Sequence, residues 1–142
     1  MVGQPTQLCV CLAYWLHHRN RIGMNDADFK QLPLLDAEVL TELREIMEDG
    51  FADLIRLFLH DAPQQLNRLQ TAVAQGDAND LYQAAHKFKS TCGSIGAVRL
   101  AEIIQRLEWA GRQSVLEGTV ELLRYAQNTA NETINGLQTE LG

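Results

Sequence analysis

Residues 81–97 read LYQAAHKFKSTCGSIGA. On a helical wheel, with about 100° between successive residues, its larger apolar side chains gather on one stripe. Such a stripe predicts an amphipathic helix that packs one face against a core and leaves the other in solvent. The members of the stripe are Leu81, Ala85, Phe88, Cys92 and Ile95.

The outer face of this predicted helix carries His86, roughly 130° from the centre of the apolar stripe. Lys89 lies within side-chain reach of it, because residues three apart are neighbours on a helix. Tyr82, Ser90 and Gly93 surround the histidine within one or two turns. A neutral imidazole has one ring nitrogen with a free lone pair near pH 7, so His86 is a candidate nucleophile towards phosphorus.

Two interpretations of this face remain open from the spacing alone. An exposed histidine near a lysine is common on helix surfaces, and the small residues of 90–97 also suit close helix packing or a turn. Alternatively, the small side chains let the active site of another protein come close, and the Lys89 ammonium offsets phosphoryl charge. Helical spacing does not decide between the two.

Further helical segments lie on both sides of this stretch. Short connections between them predict antiparallel neighbours, and no pattern with a period of two indicates a strand. The predicted fold class is therefore all-α, an antiparallel four-helix bundle with a short leading helix. Asp36 is the expected N-cap of the first helix, and Gly76 is expected to end the second. The predicted helices cover residues 36–50, 51–74, 77–94, 98–113 and 117–141.

Composition excludes several classes of function. The 142 residues, with 46% hydrophobic and 21% charged side chains, suit one globular domain. The net charge is −6 and no basic run exists, so neither nucleic-acid binding nor a polybasic membrane anchor is expected. Three cysteines without a regular spacing argue against a disulfide framework. A reduced, buried Cys92 would place the protein in the cytoplasm.

The N-terminal segment differs in composition from the rest of the chain. Residues 1–25 contain no Asp or Glu, and the apolar stretch 8–16 is too short to span a bilayer. We predict an N-terminal appendage over residues 1–33, poorly ordered or an extra helix, and a helical bundle over residues 34–142. No metal site is expected from the four candidate zinc ligands of the appendage, whose spacing matches no common zinc motif: Cys9, Cys11, His17 and His18.

The histidine segment resembles the histidine phosphotransfer (HPt) domain family of two-component phosphorelays. That family pattern is a histidine, a lysine three residues later, small residues, and Gly-Ala about ten positions after the histidine. The matching residues are His86, Lys89, Gly96 and Ala97. The similarity extends over residues 34–141 through four flanking stretches: Leu35-Asp36, Phe58-Leu59-x-Asp61-Ala62-Pro63, Gly76-Asp77 and Leu107-Glu108-x-x-Gly111-Arg112.

The resemblance implies a phosphoryl carrier rather than an enzyme. His86 would accept the group from a receiver-domain aspartate and pass it to another receiver, and Lys89 would stabilise the phosphoryl charge. The implied partners are response-regulator receiver domains, which would supply Mg²⁺, and a hybrid sensor histidine kinase. Gly96 is expected at a structural turn. The residues expected at the partner-docking surface are Tyr82, Ser90, Gly93, Glu108 and Arg112.

Two features of the sequence limit this interpretation. The family usually has glycine directly after the lysine, where this chain has Ser90, so the docking surface carries an extra hydroxyl. No Walker or glycine-rich phosphate loop is visible, so the chain is not expected to phosphorylate itself from ATP. A monomer is expected, because the outer face of the histidine helix must stay free for docking.

Other interpretations are a helical adaptor that binds receivers or regulators through the same face without carrying phosphate, and a fragment of a larger sensor kinase separated from its ATP-binding domain.

Overall fold

The computed structural model describes residues 29–141 of the chain. Within this range five helices follow one another and no strand occurs, which confirms the predicted all-α fold. The predicted helices are all present, and their bounds differ most at the end of the first and the start of the last. The observed bounds are α1 Ala37–Met47, α2 Gly50–Gln75, α3 Ala78–Ser94, α4 Val98–Gln113 and α5 Thr119–Leu141.

The helix ends follow the capping residues that the sequence contains. The Asp36 side chain caps α1 by accepting hydrogen bonds from the backbone N–H groups of Glu38, at 3.0 Å, and Val39, at 3.3 Å. The Asp77 side chain caps α3 by accepting a hydrogen bond of 3.0 Å from the backbone N–H of Asp80. Gly76 ends α2 in the left-handed region, with φ +68°, which glycine adopts without a steric penalty. The predicted start of α1 and end of α2 are therefore confirmed.

Four of the helices form a closed ring around one core. α3 packs against α2 and α4, and α5 packs against the same two helices from the opposite side. α1 precedes the ring and packs against α2. The arrangement is the predicted four-helix bundle with a short leading helix. The apolar stripe predicted for the histidine helix lies in the core, where none of its members is more than 1% exposed: Leu81, Ala85, Phe88, Cys92 and Ile95.

The turn between α3 and α4 also fixes the leading helix. Gly96 has φ +77°, and its carbonyl oxygen accepts a hydrogen bond of 2.8 Å from the backbone N–H of Asp36. A Cβ atom at Gly96 would lie 3.1 Å from Cγ1 of Val39, so a side chain there would press on α1. Gly96 therefore lies at the turn between α3 and α4, and its carbonyl joins the start of α1 to the bundle.

The core reaches beyond the boundary predicted at residue 34. Phe29 is only 2% exposed, and its ring centroid lies 5.7 Å from that of Tyr125. The Arg106 guanidinium carbon lies 4.6 Å from the Phe29 ring centroid. The predictions for residues 1–28, including the zinc ligands that were set aside, lie outside the described residues. Among the described helices, none is both long enough and apolar enough to cross a membrane.

Gly111 determines how closely α3 and α4 approach. A Cβ atom at this position would lie 2.6 Å from the backbone nitrogen of Tyr82 and 2.8 Å from the backbone oxygen of Ala78. Both atoms belong to helical backbone, which cannot move aside as a flexible side chain does. Because Glu108 precedes Gly111 by about one turn and Arg112 follows it directly, this close contact brings both side chains to the face that carries His86.

We expect Gly111→Ala to lower the free energy of unfolding by about 1–3 kcal/mol, because the added methyl group must push α4 away from the α3 backbone. Urea unfolding followed by circular dichroism measures the change.

The matched control is Gly93→Ala, also within a helix, where nothing lies within 4 Å of the added Cβ. Alanine there should be neutral or should stabilise the protein by up to about 1 kcal/mol. Equal effects of the two substitutions would contradict the role of Gly111.

Candidate functional site

His86 stands on the solvent side of α3, as the sequence predicts. Its side chain is 58% exposed, and its Nδ1 atom lies 2.6 Å from Oε2 of Glu108 on α4. The imidazole is therefore held by a hydrogen bond on one nitrogen while much of the ring faces solvent. An exposed ring with one fixed edge is a suitable arrangement for a nucleophile that must meet another protein.

Glu108 joins His86 to Lys89. Its side chain is only 8% exposed, and its Oε1 atom lies 2.6 Å from Nζ of Lys89. Its other oxygen contacts His86, so each carboxylate oxygen has its own nitrogen partner. We call His86, Lys89 and Glu108 the histidine cluster. His86 on α3 and Glu108 on α4, which are 22 positions apart in the sequence, are therefore in direct contact.

The ionisation of Glu108 sets the tautomer of His86. Burial alone would raise the pKa of the Glu108 carboxyl, but its hydrogen bonds with Lys89 and His86 outweigh burial and hold that pKa below its ordinary value. The group is therefore an ionised carboxylate near neutral pH, and a carboxylate only accepts hydrogen bonds. In a neutral imidazole, His86 Nδ1 must therefore be the donor, which leaves the lone pair on Nε2.

Tyr82 and Arg112 form a second arrangement beside the cluster. The Tyr82 and His86 ring centroids lie 5.9 Å apart with an interplanar angle of 29°. The Arg112 guanidinium carbon lies 5.0 Å from the Tyr82 ring centroid, and Nη2 of Arg112 donates a hydrogen bond of 3.0 Å to the Tyr82 hydroxyl. Aromatic pairs at such distances stabilise a folded protein by more than the burial of their surface alone. Tyr82 therefore adjoins the imidazole, and Arg112 contacts Tyr82.

Ser90 and Gly93 lie on the exposed face of α3, as predicted. The Ser90 hydroxyl donates a long hydrogen bond of 3.4 Å to the backbone oxygen of His86. Nothing lies within 4 Å of the position that a Cβ would take on Gly93. The surface beside the imidazole is therefore low and open, and the Ser90 hydroxyl is directed back to its own helix.

Other candidate groups lack the surroundings of His86. His60 is exposed on α2, with Gln64 as its hydrogen-bonding partner. Cys92 is fully buried, as predicted, and burial raises the pKa of its thiol, which disfavours the reactive thiolate. Within residues 29–141 no group of three or more His, Cys, Asp or Glu side chains is arranged to hold a metal ion.

The position of Glu108 is the main difference from the sequence prediction. The sequence places it with the exposed docking residues, whereas the structure buries it between His86 and Lys89. The sequence did contain one sign that Glu108 is buried. Glu108 directly follows the core residue Leu107, at the border of the apolar stripe of α4, and a carboxylate at such a border requires a polar partner from a neighbouring helix.

Comparison with known proteins shows which family this chain belongs to. A family model described as the Hpt domain matches residues 53–141, more than half of the chain. The chain belongs to the Hpt domain family. The matched range contains the entire histidine cluster, and it begins within α2.

A solved structure supports the same assignment for the Hpt bundle. It is the crystal structure of histidine-containing phosphotransfer protein B (HptB) from Pseudomonas aeruginosa PAO1. The two chains share 32% sequence identity with a TM-score of 0.74, and the match covers 76% of this chain and 94% of the HptB chain. No curated protein matches this chain closely enough to count as a relative.

Membership of the family establishes the general activity. The protein is a histidine phosphotransfer protein, and Hpt domains work with receiver domains and kinases in phosphorelays. An Hpt domain carries a phosphoryl group and has no kinase activity of its own.

Proposed function

We propose that this protein accepts a phosphoryl group on Nε2 of His86 from a receiver-domain aspartate and passes it to an aspartate of a second receiver. The observation that supports the proposal is the 2.6 Å contact between Nδ1 of His86 and the buried carboxylate of Glu108. It directs the lone pair of the neutral ring to Nε2, on a side chain that is mostly exposed. No other histidine of residues 29–141 has a carboxylate, a lysine and an open surface beside it.

The proposed transfer needs no proton movement in its first step. The Nε2 lone pair attacks the phosphorus of the aspartyl phosphate, an N–P bond forms, and the bond between phosphorus and the aspartate oxygen breaks. The aspartate leaves as a carboxylate. The imidazole ring gains positive charge, and the Glu108 carboxylate opposes that charge through the Nδ1 proton. The reverse sequence delivers the group to the second receiver.

Lys89 has two tasks in this proposal. One N–H of its ammonium bonds Glu108 and keeps the carboxylate in place. The side chain is still 32% exposed, so its remaining donors are available to the phosphoryl oxygens. Positioning and charge stabilisation dominate phosphoryl transfer, and the receiver would supply the Mg²⁺ that completes the stabilisation.

The surface around His86 suits a receiver as the partner. Gly93 leaves open space beside the nucleophile, and the Ser90 hydroxyl points to the His86 backbone rather than outwards. The active site of a receiver can therefore reach Nε2 without displacing a large side chain. We propose a hybrid sensor histidine kinase as the upstream source of phosphate, acting through its own receiver domain.

We expect wild-type protein to gain acid-labile, alkali-stable phosphate when it is mixed with phosphorylated receiver domains, and His86→Gln to gain none. The stability of His86→Gln should stay within about 1 kcal/mol of wild type, because the ring is mostly exposed and the glutamine amide can still donate to Glu108. Radiolabel transfer measures the first result and urea unfolding the second.

The matched control is His60→Gln, which replaces an exposed histidine on α2 and should leave labelling unchanged. Each receiver is first shown to transfer its phosphate to another Hpt protein. If wild type then stays unlabelled with every active receiver, the proposal is wrong and an adaptor without phosphate remains. If His86→Gln still gains labelled phosphate, a residue other than His86 is the acceptor.

A second prediction concerns the lysine of the cluster. Lys89→Ala should fold and should accept phosphate at least about tenfold more slowly than wild type, because both the support of Glu108 and a charge at the phosphoryl group are lost. Rapid-quench measurement of transfer gives the rate. Lys87→Ala, which removes an exposed lysine two residues earlier, should transfer at the wild-type rate. Equal rates for the two variants would remove Lys89 from the mechanism.

A further inference from the structure

One part of the site has no role in the proposed transfer. Tyr82 is stacked with the His86 ring, and Arg112 contacts Tyr82. We propose that Tyr82, held by Arg112, is a positioning residue that fixes the plane of the His86 imidazole. We call Tyr82 and Arg112 the ring support. The kinetic part of this inference rests on the proposed function, whereas its geometric part does not.

The close approach of α3 and α4 builds the ring support. A Cβ on Gly111 would lie 2.6 Å from the backbone nitrogen of Tyr82, so the two helices touch at this point. Arg112 is the next residue, and its guanidinium carbon reaches to 5.0 Å from the Tyr82 ring centroid. The hydrogen bond of 3.0 Å from Arg112 Nη2 to the Tyr82 hydroxyl restrains that ring at its far end.

The ring support supplies a restraint that Glu108 does not. The hydrogen bond to Nδ1 restrains the imidazole through a single contact, and the χ2 torsion of histidine has a broad energy profile, so the ring can still rock within the tolerance of that bond. The Tyr82 ring is stacked with the imidazole in an offset arrangement, with centroids 5.9 Å apart and an angle of 29° between planes. An edge restraint and a face restraint together fix the direction of the Nε2 lone pair.

The direction of that lone pair matters for in-line attack. A misplacement of about 1 Å in a reacting group can reduce a rate by about a hundredfold, so an imidazole that rocks about its single hydrogen bond would spend less time in a productive orientation. Tyr82 is partly buried and carries no charge near the reacting atoms, which distinguishes its role from that of Lys89. If the ring support acted only as a contact for the partner, its loss would weaken docking and leave the chemical step unchanged.

Three variants separate the parts of the ring support. Tyr82→Leu removes the aromatic face, Tyr82→Phe keeps the face and removes the hydroxyl that Arg112 binds, and Arg112→Gln removes the guanidinium. Arg124→Gln is the control, because it replaces an exposed arginine on α5, a helix that packs against α2 and α4. Urea unfolding confirms that each variant is folded before it is used.

The first measurement is the NMR spectrum of the His86 ring protons in the unphosphorylated full chain. Because the imidazole lies against an aromatic face, we expect ring-current shifts to higher field in wild type, the loss of those shifts in Tyr82→Leu and their retention in the Arg124→Gln control. Tyr82→Phe should keep part of the shift. Unchanged His86 shifts in folded Tyr82→Leu would overturn the inference.

The second measurement is the transfer rate as a function of the concentration of phosphorylated receiver. We expect Tyr82→Leu to lower the rate at saturation by roughly tenfold and to leave the half-saturating concentration unchanged. Tyr82→Phe should keep most of the wild-type rate. The saturating rate of Arg112→Gln should lie between those of Tyr82→Leu and Tyr82→Phe. An unchanged saturating rate with a raised half-saturating concentration would overturn the inference and make these residues docking contacts. If wild type accepts no phosphate, the proposed function fails, and the NMR result alone decides the geometric part.

Discussion

The site depends on one interaction, the buried Glu108 carboxylate that hydrogen-bonds His86 with one oxygen and Lys89 with the other. A carboxylate that is only 8% exposed would be costly without partners, and here the two nitrogen donors lower its pKa despite burial. The same pairing orients the imidazole and holds the ammonium beside it. The orientation of the His86 ring and the position of the Lys89 ammonium therefore both depend on a single side chain.

The carboxylate can take this position because the two helices that carry the cluster are unusually close at one end. At Gly111 the two helices lie so close that no side chain would fit between α4 and the backbone of α3. Glu108 and Arg112, on the same part of α4, therefore reach the face of α3 that carries His86. The bundle provides the rest of the rigidity, since α3 buries its apolar stripe between α2 and α4. Packing within the core thus determines the geometry at the surface.

Much of the fold and part of the site followed from the sequence. The spacing of apolar residues gave the helices, and the wheel of the third one placed His86 outside and Cys92 inside, because both depend only on local periodicity. The contact of Glu108 with His86 depends on how two helices cross, which periodicity along one helix does not determine. The burial of Phe29 was missed for a similar reason, since its partners lie far along the chain in α4 and α5.

We propose that Glu108 keeps the proton of the neutral His86 ring on Nδ1 and leaves Nε2 free to attack. The ¹⁵N NMR shifts and two-bond couplings of the His86 ring, recorded at a pH where the imidazole is neutral, report the tautomer directly. The Nδ1–H form should predominate in wild type, and Glu108→Leu should lose this preference. A wild-type ring that carries its proton mainly on Nε2 would show that Glu108 does not set the tautomer.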